Sequence, residues 1–261
     1  MSQANGASPG NVVCDLDGVV YLAQTGIPGA GEALAELERR GYRVVFATNA
    51  PIRTAGGVAR HIRAVSGYPA RPGQVITSAM AAAGMLGAAD APVLVVGEAG
   101  LGATLKAAGF PLTTVPRRAR SVVMGLDRRL TYDHLLAATR AVLGGARLVA
   151  CNRDATYPTE SGPVPGGGAI IAAVEAATGR AAEIAGKPYP PMAHAVRQAL
   201  GPGPTWAVVY HPETDLALGK KEGWTTVLVL SGVVPDAAAV PAALAPDLVL
   251  PTLASLPDCL P

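Results

Sequence analysis

Short runs of β-branched and other apolar residues, each followed by an alanine-rich stretch with helical spacing, recur along almost the whole chain. No other feature limits the fold so strongly. Residues 12–15, 43–48 and 74–77 read as strands, and 31–40 and 54–65 read as the helices between them. In GEALAELERR, Ala33, Leu34 and Leu37 share one helical side, and Gly41 stands where a helix can stop. That order predicts a parallel sheet with right-handed crossovers. A second series follows, with strands over 92–97, 121–124 and 147–151 and helices over 100–108, 131–143 and 169–178. After Gly186 come helices over 192–200 and 214–222, and strands over 206–209, 225–230 and 247–250. No repeat of fixed period is present, and the Pro/Ala-rich stretch 233–246 reads as a surface loop or loose helix. The expected class is α/β with a parallel sheet.

Composition narrows the partners. The chain has 261 residues, of which 50% are hydrophobic, enough for one large domain or two modest ones. Its net charge of +2 comes from interleaved signs, so no basic block points to nucleic acid. Cys14, Cys151 and Cys259 lie far apart and suit a reducing compartment better than a disulfide framework or zinc site. The opening MSQANGASPG lacks a secretory pattern and reads as a disordered lead-in, and no apolar string is long enough for a bilayer. The expected location is the cytoplasm, with no membrane partner.

Four segments carry chemistry. Asp15-Leu16-Asp17-Gly18-Val19-Val20-Tyr21 directly follows a buried strand, and ligands of open parallel sheets bind beyond the carboxyl ends of strands. Two carboxylates flanking one residue there suit a divalent cation such as Mg²⁺, with one able to attack phosphorus and the other to exchange protons. Thr48-Asn49 ends the second strand with a hydroxyl and an amide suited to phosphate oxygens. Lys187, in Gly186-Lys187-Pro188, places a cation in a turn before a helix, and Pro212-Glu213-Thr214-Asp215 precedes another helix. Each also has an ordinary reading: a solvated acidic turn, turn chemistry, a solvated lysine and a helix cap.

Taken in order, these segments resemble the four motifs of the haloacid dehalogenase (HAD) superfamily. The resemblance is closer to its NagD / p-nitrophenylphosphatase-like subfamily, which carries a large inserted α/β cap of the C2 type. Asp15, Asp17, Gly18 and Tyr21 match DxDGxxY, and Gly26-Ile27-Pro28-Gly29-Ala30 is similar to the usual sequel. Thr48-Asn49 corresponds to the second motif and Lys187 to the third. Cys151-Asn152-Arg153-Asp154, Pro158 and Pro165-Gly166-Gly167-Gly168 resemble the cap stretch TNxD…P…PGxG. Thr214-Asp215, Gly219, Gly223 and TVLVLSGV resemble the region after the fourth motif. The resemblance spans residues 11 to 250. It implies a Rossmann-like core from 1–78 and 186–261 and a cap from 79–185 that excludes water and supplies substrate contacts, with Asn152 and Asp154 as specificity candidates.

The implied function is a Mg²⁺-dependent phosphatase of a small phosphorylated metabolite. Asp15 attacks the phosphoryl group to form an aspartyl-phosphate, and Asp17 protonates the leaving alkoxide and then activates water. Thr48, Asn49 and Lys187 bind the phosphate. Asp15, the Asp17 carbonyl and Asp215 hold the metal. One departure stands out: the family's fourth motif reads Gly-Asp-x-x-x-Thr-Asp, and alignment on Thr214-Asp215 puts Val209 and Tyr210 where Gly-Asp should be. A phenol keeps its proton near neutral pH and is a poor Mg²⁺ ligand. His211 suits softer metals, and Glu213 or a shifted Asp215 could compensate. Weak Mg²⁺ binding, another divalent metal, or loss of turnover are all consistent with this change. Ala50 is a smaller departure, where many relatives are polar.

Two alternatives therefore stay open. One is an impaired or regulatory relative that binds a phosphorylated ligand. The other is specialised chemistry on the same carboxylate, such as a biosynthetic step or dehalogenation, although dehalogenases do not need an acid at the position of Asp17. Cap-mediated dimers occur among similar proteins, so a homodimer is one expected assembly. His61, His134 and His194 read as surface or packing residues, Cys14 as core, and Trp206 and Trp224 as packing.

Overall fold

A computed structural model describes residues 9–159, 162–231, 236 and 240–261, with the side chains of Pro158 and Thr159 left out. The expected lead-in and much of the expected 233–246 loop lie outside these residues. The chain divides into two compact units: the first takes the described residues of Met1–Ala47, Ala59–Val75 and Val196–Pro261, the second Thr48–Val58 and Ile76–Ala195. This division assigns 48–58, 76–78 and 186–195 to the middle unit, where the sequence reading has them in the core.

The first unit is built on a sheet of β1 (Asn11–Cys14), β4 (Arg43–Thr48), β5 (Val75–Thr77), β12 (Thr205–Val209), β13 (Thr225–Val229) and β14 (Leu248–Leu250). A small hairpin, β2 (Tyr21–Leu22) and β3 (Thr25–Gly26), lies between the first two in sequence. The sheet order is β14-β13-β12-β1-β4-β5, and the ends of β4 and β5 pass into the second unit. β1 pairs in parallel with both β12 and β4, Cys14 standing opposite Val208 and Phe46. A central strand is covered on both faces, which is why all four residues of β1 are buried, Asn11 included. Asn11 meets that burial with hydrogen bonds to Gly201 and Thr205. Helix α1 (Ala30–Arg39) buries Ala33, Leu34 and Leu37, and Gly41 follows it at φ +91°, a conformation that favours glycine. Each fully buried leucine contributes roughly 1.5–3 kcal/mol.

The second unit holds a four-stranded sheet, β11-β8-β7-β6, from β6 (Val93–Val96), β7 (Ser121–Met124), β8 (Arg147–Ala150) and β11 (Glu183–Ile184), with parallel pairing throughout. Helices α5 (Tyr132–Leu143) and α6 (Gly167–Thr178) supply Ala138, Ala141, Val142, Ile170, Ile171 and Val174 to its core. Thr131 caps α5 by accepting from the His134 N–H. Helix α3 (Ser78–Gly84) and the hairpin β9 (Thr156–Thr159) and β10 (Gly162–Pro165) were not expected from the sequence. Helix α7 (Pro190–Ala199) runs from the second unit into the first. The expected helix over 214–222 is instead a wide turn, Pro212–Leu216, followed by the short α8 (Ala217–Glu222). Its width is set by the His211 carbonyl, which accepts from both Asp215 and Leu216. Among the described residues, no helix is long and apolar enough to cross a membrane.

Candidate active site

Within the first unit, the paired acids sit where β1 ends. Asp15 follows Cys14 directly and donates its backbone N–H to Val208 O. Its side chain is buried, at 7% exposure, and Asp215 is buried at 3%. The loop after Asp15 closes on Leu16, a fully buried residue whose carbonyl accepts from the N–H groups of Val19, Val20 and Tyr21. Gly18 takes φ +72° and donates to Tyr21 O at 2.7 Å, while its own carbonyl accepts from the Ser231 hydroxyl. The DxDG spacing therefore fixes two carboxylates on either side of a buried anchor. Tyr21 contributes its ring: it packs edge-on against His61, 4.7 Å between centroids, and His61 Nε2 lies 3.0 Å from Ala23 O. Cys14 is buried, and desolvation first, then the Asp15 carboxylate, pushes its thiol well above the usual range.

Strand β12 ends at Val209, and Tyr210 and His211 follow it directly. Tyr210 occupies the position where the resemblance expects an aspartate, and its ring lies 6.0 Å from that of His211. The Nδ1 atom of His211 is buried with no hydrogen-bond partner among the described residues. Such an atom costs about 1–3 kcal/mol. Among the described residues, no three His, Cys, Asp or Glu side chains cluster closely enough to hold a metal ion. Among the described residues of this unit the buried carboxylates are those of Asp15 and Asp215. Those are hard oxygen donors and fit Mg²⁺, but with one negative charge fewer than an aspartate at 210 would give.

In the second unit, Thr48 and Lys187 are both buried, at 3% and 4% exposure, and Thr48 Oγ1 accepts from Ala50 N. Between them stands Asn49, whose polar groups are heavily engaged. Its Oδ1 accepts from Lys187 N at 2.7 Å, and its Nδ2 donates to Lys187 O at 3.2 Å. The same Nδ2 reaches the Asp154 carboxylate at 3.3 and 3.4 Å. Its carbonyl accepts from Ser78 Oγ at 2.6 Å and Asn152 Nδ2 at 2.8 Å. Asn152 Oδ1 in turn accepts from Asp154 N. The structure brings Asn49, Asn152, Asp154 and Lys187 into one network, to which it adds Ser78, a residue the sequence reading missed. A signal existed for Ser78: Thr77 before an alanine run is a helix-capping pattern, and Thr77 accepts from Met80 N. Gly186, named in the sequence beside Lys187, needs to be bare because of close approach: a Cβ there would lie 2.4 Å from Cys151 O and 2.5 Å from Asn49 Oδ1. Cys151 is buried, and desolvation pushes its thiol up to about 12 against a lowering hydrogen bond with Ser78.

Comparison with known proteins adds a family. Residues 12–111 match the model of haloacid dehalogenase-like hydrolases, and residues 184–256 match that of HAD-hydrolase-like proteins. The dihydroxyacetone phosphatase of Corynebacterium glutamicum (strain R) is 33% identical over 94% of this chain and 90% of its own. Among solved structures, a glycerol phosphate phosphatase from Mycobacterium tuberculosis in complex with magnesium superposes with a TM-score of 0.86 at 31% identity, over 97% of this chain and 78% of that one. NagD from E. coli K-12 does so at 0.82 and 32%, over 94% and 96%.

Proposed function

The chain belongs to the haloacid dehalogenase-like hydrolases, in their NagD-like group, and on that premise we propose that it hydrolyses the phosphomonoester of a small phosphorylated metabolite through an aspartyl-phosphate at Asp15. The observation that carries this reading is the pair of carboxylates fixed around buried Leu16 at the end of the central strand. A phosphatase activity is further supported by the relatives, which include phosphatases named for dihydroxyacetone and glycerol phosphates.

Asp15 attacks phosphorus, the bond from phosphorus to the ester oxygen breaks, and Asp17 gives its proton to the leaving alkoxide. Water then attacks the aspartyl-phosphate, Asp17 takes its proton, and inorganic phosphate leaves as the Asp15 carboxylate is restored. Thr48 and Lys187 bind the non-bridging oxygens, where positive charge and fixed donors matter most. Asp15, the Asp17 carbonyl and Asp215 would hold Mg²⁺, which when bound neutralises charge on the phosphoryl oxygens. The magnesium in the mycobacterial relative supports a divalent ion of this kind. Tyr210 makes its grip weak and leaves room for another divalent metal.

Tyr210 and the buried His211 Nδ1 favour one competing reading, a relative that binds a phosphorylated ligand without turning it over. A phosphate-release screen over phosphorylated metabolites, with Mg²⁺, Mn²⁺ and Co²⁺ varied, separates the two. Metal-dependent release from a small metabolite is expected. Calorimetric binding without release on any metal would favour the competitor.

A further inference from the structure

Asn49 stands in the sequence as a phosphate ligand, yet its side chain is spoken for. A primary amide has two N–H donors and one oxygen. Here the donors go to Lys187 O and to the Asp154 carboxylate, and the oxygen takes Lys187 N. The orientation of the amide is unambiguous, because a flip would set NH₂ against the Lys187 N–H and oxygen against both the Lys187 carbonyl and a carboxylate. One planar group thus brackets the backbone of Lys187 on both sides, as a neighbouring strand would. Asn49's own carbonyl is held by Ser78 and Asn152, so the bracket itself is braced. Bare Gly186 lets the two chains approach this closely.

We propose that Asn49 is a positioning residue: its side chain sets the backbone, and so the ammonium, of Lys187, and makes no phosphate contact of its own. Asn152 serves the same frame, since its amide nitrogen goes to Asn49 O and its oxygen to Asp154 N. This inference rests on the phosphatase reading above.

The test is a double-mutant cycle between Asn49→Ala and Lys187→Met. It is read as kcat/KM on p-nitrophenyl phosphate and, in parallel, as calorimetric affinity for inorganic phosphate. Asn49→Ala alone should lose about 10²-fold in kcat/KM, the scale of a misplaced catalytic group. In the Lys187→Met background the same change should cost almost nothing in either readout, although its loss of thermal stability persists. Multiplying losses would mean that Asn49 touches phosphate itself and would overturn the proposal. Should Asn49→Ala fail to fold, near-isosteric Asn49→Asp keeps the acceptor for Lys187 N, loses both donated bonds, and runs through the same cycle. An active wild type with an additive cycle sinks only the Asn49 assignment. A wild type that neither hydrolyses the ester nor binds phosphate sinks the phosphatase reading and this inference with it.

Discussion

The turn that carries Lys187 and the turn that carries Tyr210 are built alike, each leading from a strand of a parallel sheet into a helix, yet they differ in how their polar groups are satisfied. Around Lys187, Asn49 holds the backbone on both sides, and Gly186 packs against Cys151 O. Around Tyr210, a neutral phenol stands at the expected carboxylate position, and the neighbouring His211 keeps a buried Nδ1 without a partner. A fully satisfied polar network of this kind fixes geometry. On the proposed reading, the contrast sets a firmly braced phosphate-side turn against a metal-side turn in which a phenol replaces the expected carboxylate.

That contrast can be broken or sharpened by substitution. The largest effect is expected at Lys187: Lys187→Met, which keeps the volume and removes the charge, should lower kcat/KM by about 10²–10³-fold. Steady-state kinetics on a responsive phosphate ester checks this, and near-normal turnover would break the comparison on the phosphate side. Tyr210→Asp comes next. Restoring the carboxylate should tighten the Mg²⁺ midpoint by about tenfold or more, each tenfold being worth ~1.4 kcal/mol. An unmoved midpoint in a calorimetric Mg²⁺ titration would mean that position 210 does not face the metal. Gly186→Ala should destabilise by about 1–3 kcal/mol through overpacking against Cys151 O and Asn49, read as a lowered unfolding midpoint. Smallest of all, Tyr210→Phe should leave the Mg²⁺ midpoint unchanged, because the phenol supplies no ligand charge.

Much of this was legible in the chain itself. The strands β4 and β7 fall on their expected residues, and Ala33, Leu34 and Leu37 form the buried side of α1, because apolar periodicity reports burial directly. The acidic loop was visible because DxDG is contiguous. What the sequence hid has identifiable causes. Pro158 and Pro163 masked the hairpin of β9 and β10, since proline argues against strand interiors. The wide turn at Pro212–Leu216 follows from a doubly accepting carbonyl that no propensity encodes. Asn49 reads from the sequence as a phosphate ligand; its partner Lys187 is 138 positions away, and only the fold reveals which groups its amide serves.

A single side chain carries the whole account. Asp15→Asn, compared with wild type on a phosphate ester that the wild type hydrolyses and at matched thermal stability, should release phosphate only at the background rate. Release at the wild-type rate would contradict nucleophilic attack by this carboxylate.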